Sequence, residues 1–271
     1  MRVVAILATY NEERFIAACL ENLFHQGVEV YLCDNESVDR TVSIAEAYRG
    51  RGLIGIETFP RQGIYRWQEI LQRKEQLAAS LQADWFMHVD ADEIRLPPHP
   101  KQTLVQALQE VDSQGYSAVN FMEYAFTPTR ESPEHDHPDF QKTMRWYYPY
   151  LPAYPHRVNA WKKQAAPVDL ASSAGHHVRF PGLRLYPESF PMRHYLFLSK
   201  EHAIRKFVQR PYDPRQVAKG WDVWRSRLKP EMIVLPSETQ LRLYTSDADL
   251  DPSNPRTAHF LAEAVRAAEG R

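Results

Sequence analysis

The most chemically loaded stretch of this sequence is Asp90-Ala91-Asp92-Glu93. It follows the apolar run Trp85-Phe86-Met87-His88-Val89, which reads as a strand buried in a sheet. Two carboxylates two positions apart on extended backbone point to the same side, about 7 Å apart. Such a pair is costly unless something positive shares the space, and a hard divalent cation is the natural partner. Mg²⁺ or Mn²⁺ takes one or two carboxylates, then water and phosphate oxygens. The plainer reading is a helix cap followed by solvated acids. Pro97-Pro98 just beyond favours a fixed turn, so a metal site at Asp90 and Asp92 is expected.

Two further polar clusters stand at comparable places. Thr9-Tyr10-Asn11-Glu12-Glu13 follows the apolar run Val3 to Leu7, and Asp34-Asn35-Glu36-Ser37-Val38-Asp39-Arg40-Thr41 follows Val28 to Cys33. Each alone is an ordinary strand-to-helix loop. Between them Phe15, Ile16, Cys19, Leu20, Leu23 and Phe24 recur at helical spacing, and Gly27 ends that helix. Ser37 or Asp39 can cap a helix to about Tyr48, a third strand covers Leu53 to Phe59, and a long helix covers about Ile64 to Leu81. Strands alternating with helices predict an α/β fold with a mostly parallel central sheet. The three clusters then share its carboxyl edge, where open α/β sheets bind ligands.

The second half is less regular. A helix near 103–114 and a strand near 118–124 precede a polar loop from Thr127 to Gln141, which contains His135 and His137. Short strands are expected at His156–Trp161 and His176–Phe180, an amphipathic helix from Ser199 with Ala203, Ile204, Phe207 and Val208 on one face, and a last helix over Arg256–Ala268. Gly50-Arg51-Gly52-Leu53-Ile54-Gly55 fits a dinucleotide-binding motif by letter, but it follows a helix and enters a strand, the reverse of what pyrophosphate binding requires.

Length and composition bound the rest. With 271 residues, 44% hydrophobic and 25% charged, the chain is an ordinary globular protein. A net charge of −1 offers no field for holding nucleic acid. No apolar run approaches the ~20 residues that span a bilayer, and the short apolar start followed by acids reads as a strand rather than a targeting segment. Cys19 and Cys33 fall within apolar patterns, as reduced core thiols of a cytoplasmic protein do.

Ile6 to Glu13, then Cys33 to Thr41, then Val89 to Glu93, in that order and spacing, resemble the signature of family 2 glycosyltransferases. The resemblance covers about residues 1–125 and implies a GT-A-like fold with an Asp-x-Asp motif. It also implies inverting, metal-dependent transfer of a hexose-like sugar from a nucleotide diphosphate donor to a hydroxyl of a glycan or lipid-linked glycan. Residues 1–125 would form the nucleotide-sugar-binding half. Residues 126–271 would form the acceptor-binding half and C-terminal helices of the same domain. By the resemblance Thr9, Asn11, Glu12 and Asp34, with Asn35, line the nucleobase and ribose pocket, and Asp90 and Asp92 bracket the Mn²⁺ or Mg²⁺ and the diphosphate. Met192-Arg193-His194-Tyr195 looks like the histidine that completes metal coordination in many such enzymes, so His194 joins the expected ligands.

A diphosphate leaving group needs positive charge besides the metal. Arg61 and Arg66 are the preferred donor contacts, with Arg73 and Lys74 read as helix surface. Inversion also needs a carboxylate base. The acidic pair that carries it in many relatives is missing here; Asp169 is the first candidate, then Glu123 and Asp139. A lipid-linked acceptor would bring the protein to the inner membrane face, with the Arg-rich stretch 205–227 and its Trp221 and Trp224 as peripheral contact. The rivals are a nucleotidyltransferase making sugar nucleotides, a hydrolase using His135 and His137, and a non-catalytic nucleotide-sugar-binding protein.

Overall fold

The computed structural model describes residues 1–270. In chain order the first elements are β1 (Val3–Thr9), α1 (Ile16–His25), β2 (Glu29–Asp34), α2 (Thr41–Glu46), β3 (Leu53–Thr58), α3 (Trp67–Ser80) and β4 (Trp85–Asp90). Then come β5 (Glu93–Arg95), α4 (Leu104–Ser113), β6 (Ala118–Phe126), α5 (Phe140–Thr143), β7 (Trp146–Tyr150), β8 (Val158–Lys162) and β9 (Phe190–Tyr195). The chain finishes with α6 (Lys200–Ala203), α7 (Pro214–Ala218), α8 (Val223–Arg227), β10 (Arg242–Leu243) and α9 (Phe260–Ala268). No helix among the described residues is long and apolar enough to cross a membrane.

The chain divides into two compact units. The first comprises residues 1–61, 67–122 and 155–193, the second residues 62–66, 123–154 and 194–271. The division is therefore not one cut along the chain, because residues 155–193 return to the first unit.

In the first unit β1 is the central strand. It pairs in parallel with β2 on one side (Ala5 opposite Val30) and with β4 on the other (Ala5 opposite Met87). Parallel β3 extends the sheet beyond β2, and β8 pairs antiparallel with β4 (Met87 opposite Ala160). The opening residues of β6 add antiparallel to β8. The mixed α/β class with a mostly parallel sheet is thus the one the sequence pattern predicts. Strands buried on both faces account for the unbroken apolar runs. Against them α1 buries Ile16, Cys19, Leu20 and Leu23, and α4 buries Leu104, Ala107, Leu108 and Val111. Gly50 and Gly52, with φ of +73° and +112°, form the turn between α2 and β3 rather than a phosphate cradle.

In the second unit residues Glu123–Phe126 pair antiparallel with β7, and β10 adds to the far edge of β7. Tyr148, Phe197, Ala203, Phe207, Leu228, Ile233, Leu261 and Val265 pack into one apolar core.

Several sequence expectations are corrected. The strand carrying the acids stops at Asp90; Ala91 and Asp92 form a turn before the short β5, so the two aspartates do not share one extended face. His176–Phe180 is no strand, because only isolated bridges (Val158 with His177, Asp169 with Arg179) hold it. The helix from Ser199 is one α turn followed by a π turn over Ile204–Val208, closed by Gln209 N–H donating to the Ile204 carbonyl at 3.0 Å. The last helix begins at Phe260, four residues later than its pattern suggests.

Candidate active site

The loops after β1 and β2 are joined to each other. Asn11 sits at φ +56°, a left-handed position its short polar side chain tolerates. Its amide donates to Ser37 Oγ at 2.9 Å, and its Oδ1 accepts from Val38 N–H at 2.9 Å. Glu12 N–H donates to Thr41 Oγ1 (2.7 Å) and Glu13 N–H to Asp39 Oδ2 (3.1 Å). Asp39, expected as a helix cap, also accepts from Thr41 N–H at 2.9 Å.

Beneath this junction lie the strand-end residues. Asp34 is buried, accepting from Thr9 Oγ1 (3.2 Å) and from Ser37 N–H (2.9 Å). Asn35 Nδ2 donates to the Phe59 carbonyl at 2.9 Å, which fixes the carboxamide. Its Oδ1 is buried with no hydrogen-bond partner among the described residues. A buried acceptor left in this state costs about 1–3 kcal/mol, which a ligand N–H or O–H donor would recover. Arg61 lies with its guanidinium 3.5 Å from the centre of the Tyr10 ring, and its backbone N–H donates to Glu36 Oε2 at 3.0 Å. Thr9, Asn11, Glu12, Asp34, Asn35 and Arg61 are therefore gathered at one edge of the first unit. Arg66, the other expected donor contact, belongs to the second unit, where Asp213 feels its charge.

Asp90 ends β4, next to β1 on the same carboxyl edge. Its side chain is one-third exposed, and Lys74 Nζ stands 3.7 Å from Oδ1. Burial pushes its carboxyl above the usual range, while the Lys74 charge opposes that shift. Its amide donates to Glu93 Oε2 (3.1 Å), and Glu93 is paired in turn with fully buried Arg95 at 2.5 Å. Asp92, in the turn, is buried. Carboxylate oxygens are the hard ligands that Mg²⁺ and Mn²⁺ take. Among the described residues no three His, Cys, Asp or Glu side chains converge to hold an ion by themselves, so remaining ligands would come from the donor and solvent.

The second unit holds its own polar cluster. Glu123 is fully enclosed, and its Oε1 lies 2.7 Å from His194 Nδ1 and 4.0 Å from His259 Nε2. His259 Nδ1 contacts the Tyr148 hydroxyl at 2.8 Å, and the Tyr150 ring stacks on the imidazole at 3.8 Å. His135 is buried by its own loop, with Nδ1 2.9 Å from Thr143 Oγ1, and His137 also contacts that hydroxyl. Thr143 therefore ties the polar loop down through both histidines.

Asp169 belongs to the first unit. There Ser172 N–H donates to its Oδ1 (2.9 Å) and Ser172 Oγ to its Oδ2 (2.5 Å), the pattern of a turn cap. Lys74 and Arg95, fully buried beside the acids, were missed as site residues. Lys74 had a signal: it falls on the stripe of Ile70, Leu71, Leu77 and Ala78 that α3 buries.

Among solved structures the chain is similar to S. aureus TarS 1–349 in complex with UDP, at 15% identity and TM-score 0.45, over 73% of this chain and 61% of that one. It is also similar to glucosyl-3-phosphoglycerate synthase from Mycobacterium tuberculosis in complex with Mn²⁺, UDP and glucosyl-3-phosphoglycerate. That match has 21% identity and TM-score 0.32, over 45% of this chain and 44% of that one. The chain thus spans about three-fifths of the length of the TarS fragment. No curated protein matches the sequence. The model of the family described as glycosyl transferase family 2 matches residues 4–159, more than half of the chain and all three polar clusters of the sheet edge. The chain belongs to glycosyl transferase family 2.

Proposed function

We propose that this protein transfers a sugar from a nucleoside diphosphate donor to an acceptor hydroxyl, with inversion at the anomeric carbon. The observation that carries the reading is the joined pair of loops over Asp34 and Asn35, whose acceptor atoms suit the N–H and O–H groups of a nucleoside. Asp90 and Asp92, on the same strand edge, would hold Mn²⁺ or Mg²⁺, which when bound would neutralise charge on the departing diphosphate. Arg61 adds positive charge near the nucleotide loops.

Inverting attack requires the acceptor hydroxyl to lose its proton. The carboxylate that takes it would be Asp169, the first candidate, or Glu123. A glycan or lipid-linked acceptor is the expected class.

The reading is tested by thermal unfolding with UDP, GDP, TDP, CDP and ADP, each with and without Mn²⁺. A ligand at about 100 times its Kd adds about 2.7 kcal/mol, a rise of several degrees. One nucleoside diphosphate should raise Tm, more so with Mn²⁺. A folded protein that responds to none of them would refute the donor site. In transfer assays with that donor, Asp92→Ala should lower turnover by roughly a hundredfold or more, the scale of lost transition-state charge stabilisation. Near-normal turnover in a folded Asp92→Ala variant would remove Asp92 from the reaction.

A further inference from the structure

Lys74 has no side-chain surface in contact with solvent. A buried ammonium is costly unless its N–H groups find acceptors, and here two stand within hydrogen-bond distance with a carboxylate oxygen just beyond. His88 Nδ1 is at 2.7 Å, the Val89 carbonyl at 3.1 Å and Asp90 Oδ1 at 3.7 Å. An ammonium only donates, so His88 Nδ1 accepts and the imidazole proton sits on Nε2.

The surroundings hold this arrangement in place. Trp67, on the same helix, lies 5.7 Å from Lys74 Nζ and 5.8 Å from the His88 ring. Its indole N–H donates to the Ala174 carbonyl at 2.9 Å, and Asn159 Nδ2 donates to the Gly175 carbonyl at 2.7 Å. Gly175, at φ +85°, backs onto His88 so closely that a Cβ there would stand 3.1 Å from Nε2. Burial pulls the Lys74 ammonium below its usual 10.5 and the Asp90 charge opposes that shift, so the ammonium depends on a carboxylate whose own side chain is one-third exposed.

We propose that Lys74 is a positioning residue for Asp90, fixing its carboxylate and offsetting its charge, so that Lys74 sets how much negative charge the acidic turn presents to a cation and to a diphosphate. The inference rests on the donor-site reading above and adds to it the residue that tunes its charge.

The test uses Lys74→Met, Asp90→Asn and the double variant, with two probes that need no sugar: Mn²⁺ alone, followed by its electron paramagnetic resonance, and pyrophosphate alone, followed by calorimetry. Losing the ammonium leaves the Asp90 charge uncompensated. Lys74→Met should therefore bind Mn²⁺ about tenfold more tightly and pyrophosphate about tenfold more weakly. The double variant, equal in charge to the wild type, should return both affinities toward the wild-type values. A purely structural lysine would leave both probes unchanged or weaken both together, and either result overturns the proposal, as does failure of the double variant to restore them. Should Lys74→Met not fold, recovery of folding in the double variant supports the pairing and lack of recovery overturns it. A wild-type protein that binds neither probe sinks the donor-site reading instead. The pairing is then decided by thermal stability alone, where non-additive effects of the two substitutions support it and additive ones refute it.

Discussion

Glu123 offers the sharpest test of how the second unit is built. Its carboxylate is wholly enclosed and takes a 2.7 Å hydrogen bond from His194 Nδ1, with His259 Nε2 at 4.0 Å. Glu123→Leu removes the acceptor and strands the His194 N–H where its side chain is only 7% exposed. Losing a hydrogen bond to a charged group costs about 1.5–3 kcal/mol, and a stranded donor about 1–3 kcal/mol more. Leucine recovers about 1–2 kcal/mol through its apolar surface. The net loss is about 0.5–5 kcal/mol, centred near 3. Glu123→Gln keeps an acceptor at the same place and loses only the charge, so about 1–2 kcal/mol is expected. Urea denaturation followed by far-ultraviolet circular dichroism measures both, and the leucine variant should unfold first. Leucine and glutamine variants within 0.5 kcal/mol of the wild type would refute the buried pair. A glutamine variant as damaged as the leucine one would show that charge, not geometry, dominates there.

Two further outcomes follow from packing and charge in the first unit. Gly52→Ala should cost about 2–4 kcal/mol, read by the same urea titration, because φ of +112° excludes a Cβ and that Cβ would meet the Phe24 ring inside contact distance. Glu57 accepts from Arg73 Nη2 at 2.7 Å, and that pairing holds its carboxyl below the usual 4.5. A depressed carboxyl stabilises the fold above its unfolded pKa and loses that contribution as pH falls through its folded one. The stability gap between wild type and Glu57→Gln should therefore be full near neutrality and shrink as the pH drops below 4.5; a gap that stays constant down that range would contradict the pairing.

The first-unit edge was legible because its strands are buried on both faces. Continuous apolar runs at Val3–Leu7, Val28–Cys33 and Trp85–Val89 mark their ends sharply, so the polar residues after each run could be assigned to one edge. The second unit gave weaker signals. Its strand β7 contains Pro149, which reads as a break rather than as an edge or bulge position. Periodicity also says which helix face is buried but not what a charged residue on that face does. Lys74 was read by its type as surface, although its position among Ile70, Leu71, Leu77 and Ala78 placed it inside. Glu123 was read as a proton acceptor, and nothing in its neighbours along the chain announces His194 or His259, which are distant in sequence. Pairings of that kind come from topology, which local pattern does not encode.

The joined loops after β1 and β2 carry a consequence for how this surface moves. Residues 10–13 and 35–40 belong to no helix or strand, yet the amides of Asn11, Glu12, Glu13 and Val38 all donate to side chains across the junction. Such amides exchange with solvent deuterium only when the two loops part, so opening one should open the other. This face of the first unit would then breathe as a single cooperative patch, with protection nearer to that of the central strand than to that of an ordinary surface loop. A ligand arriving there meets backbone that has already surrendered most of its freedom, and little ordering remains to oppose its capture.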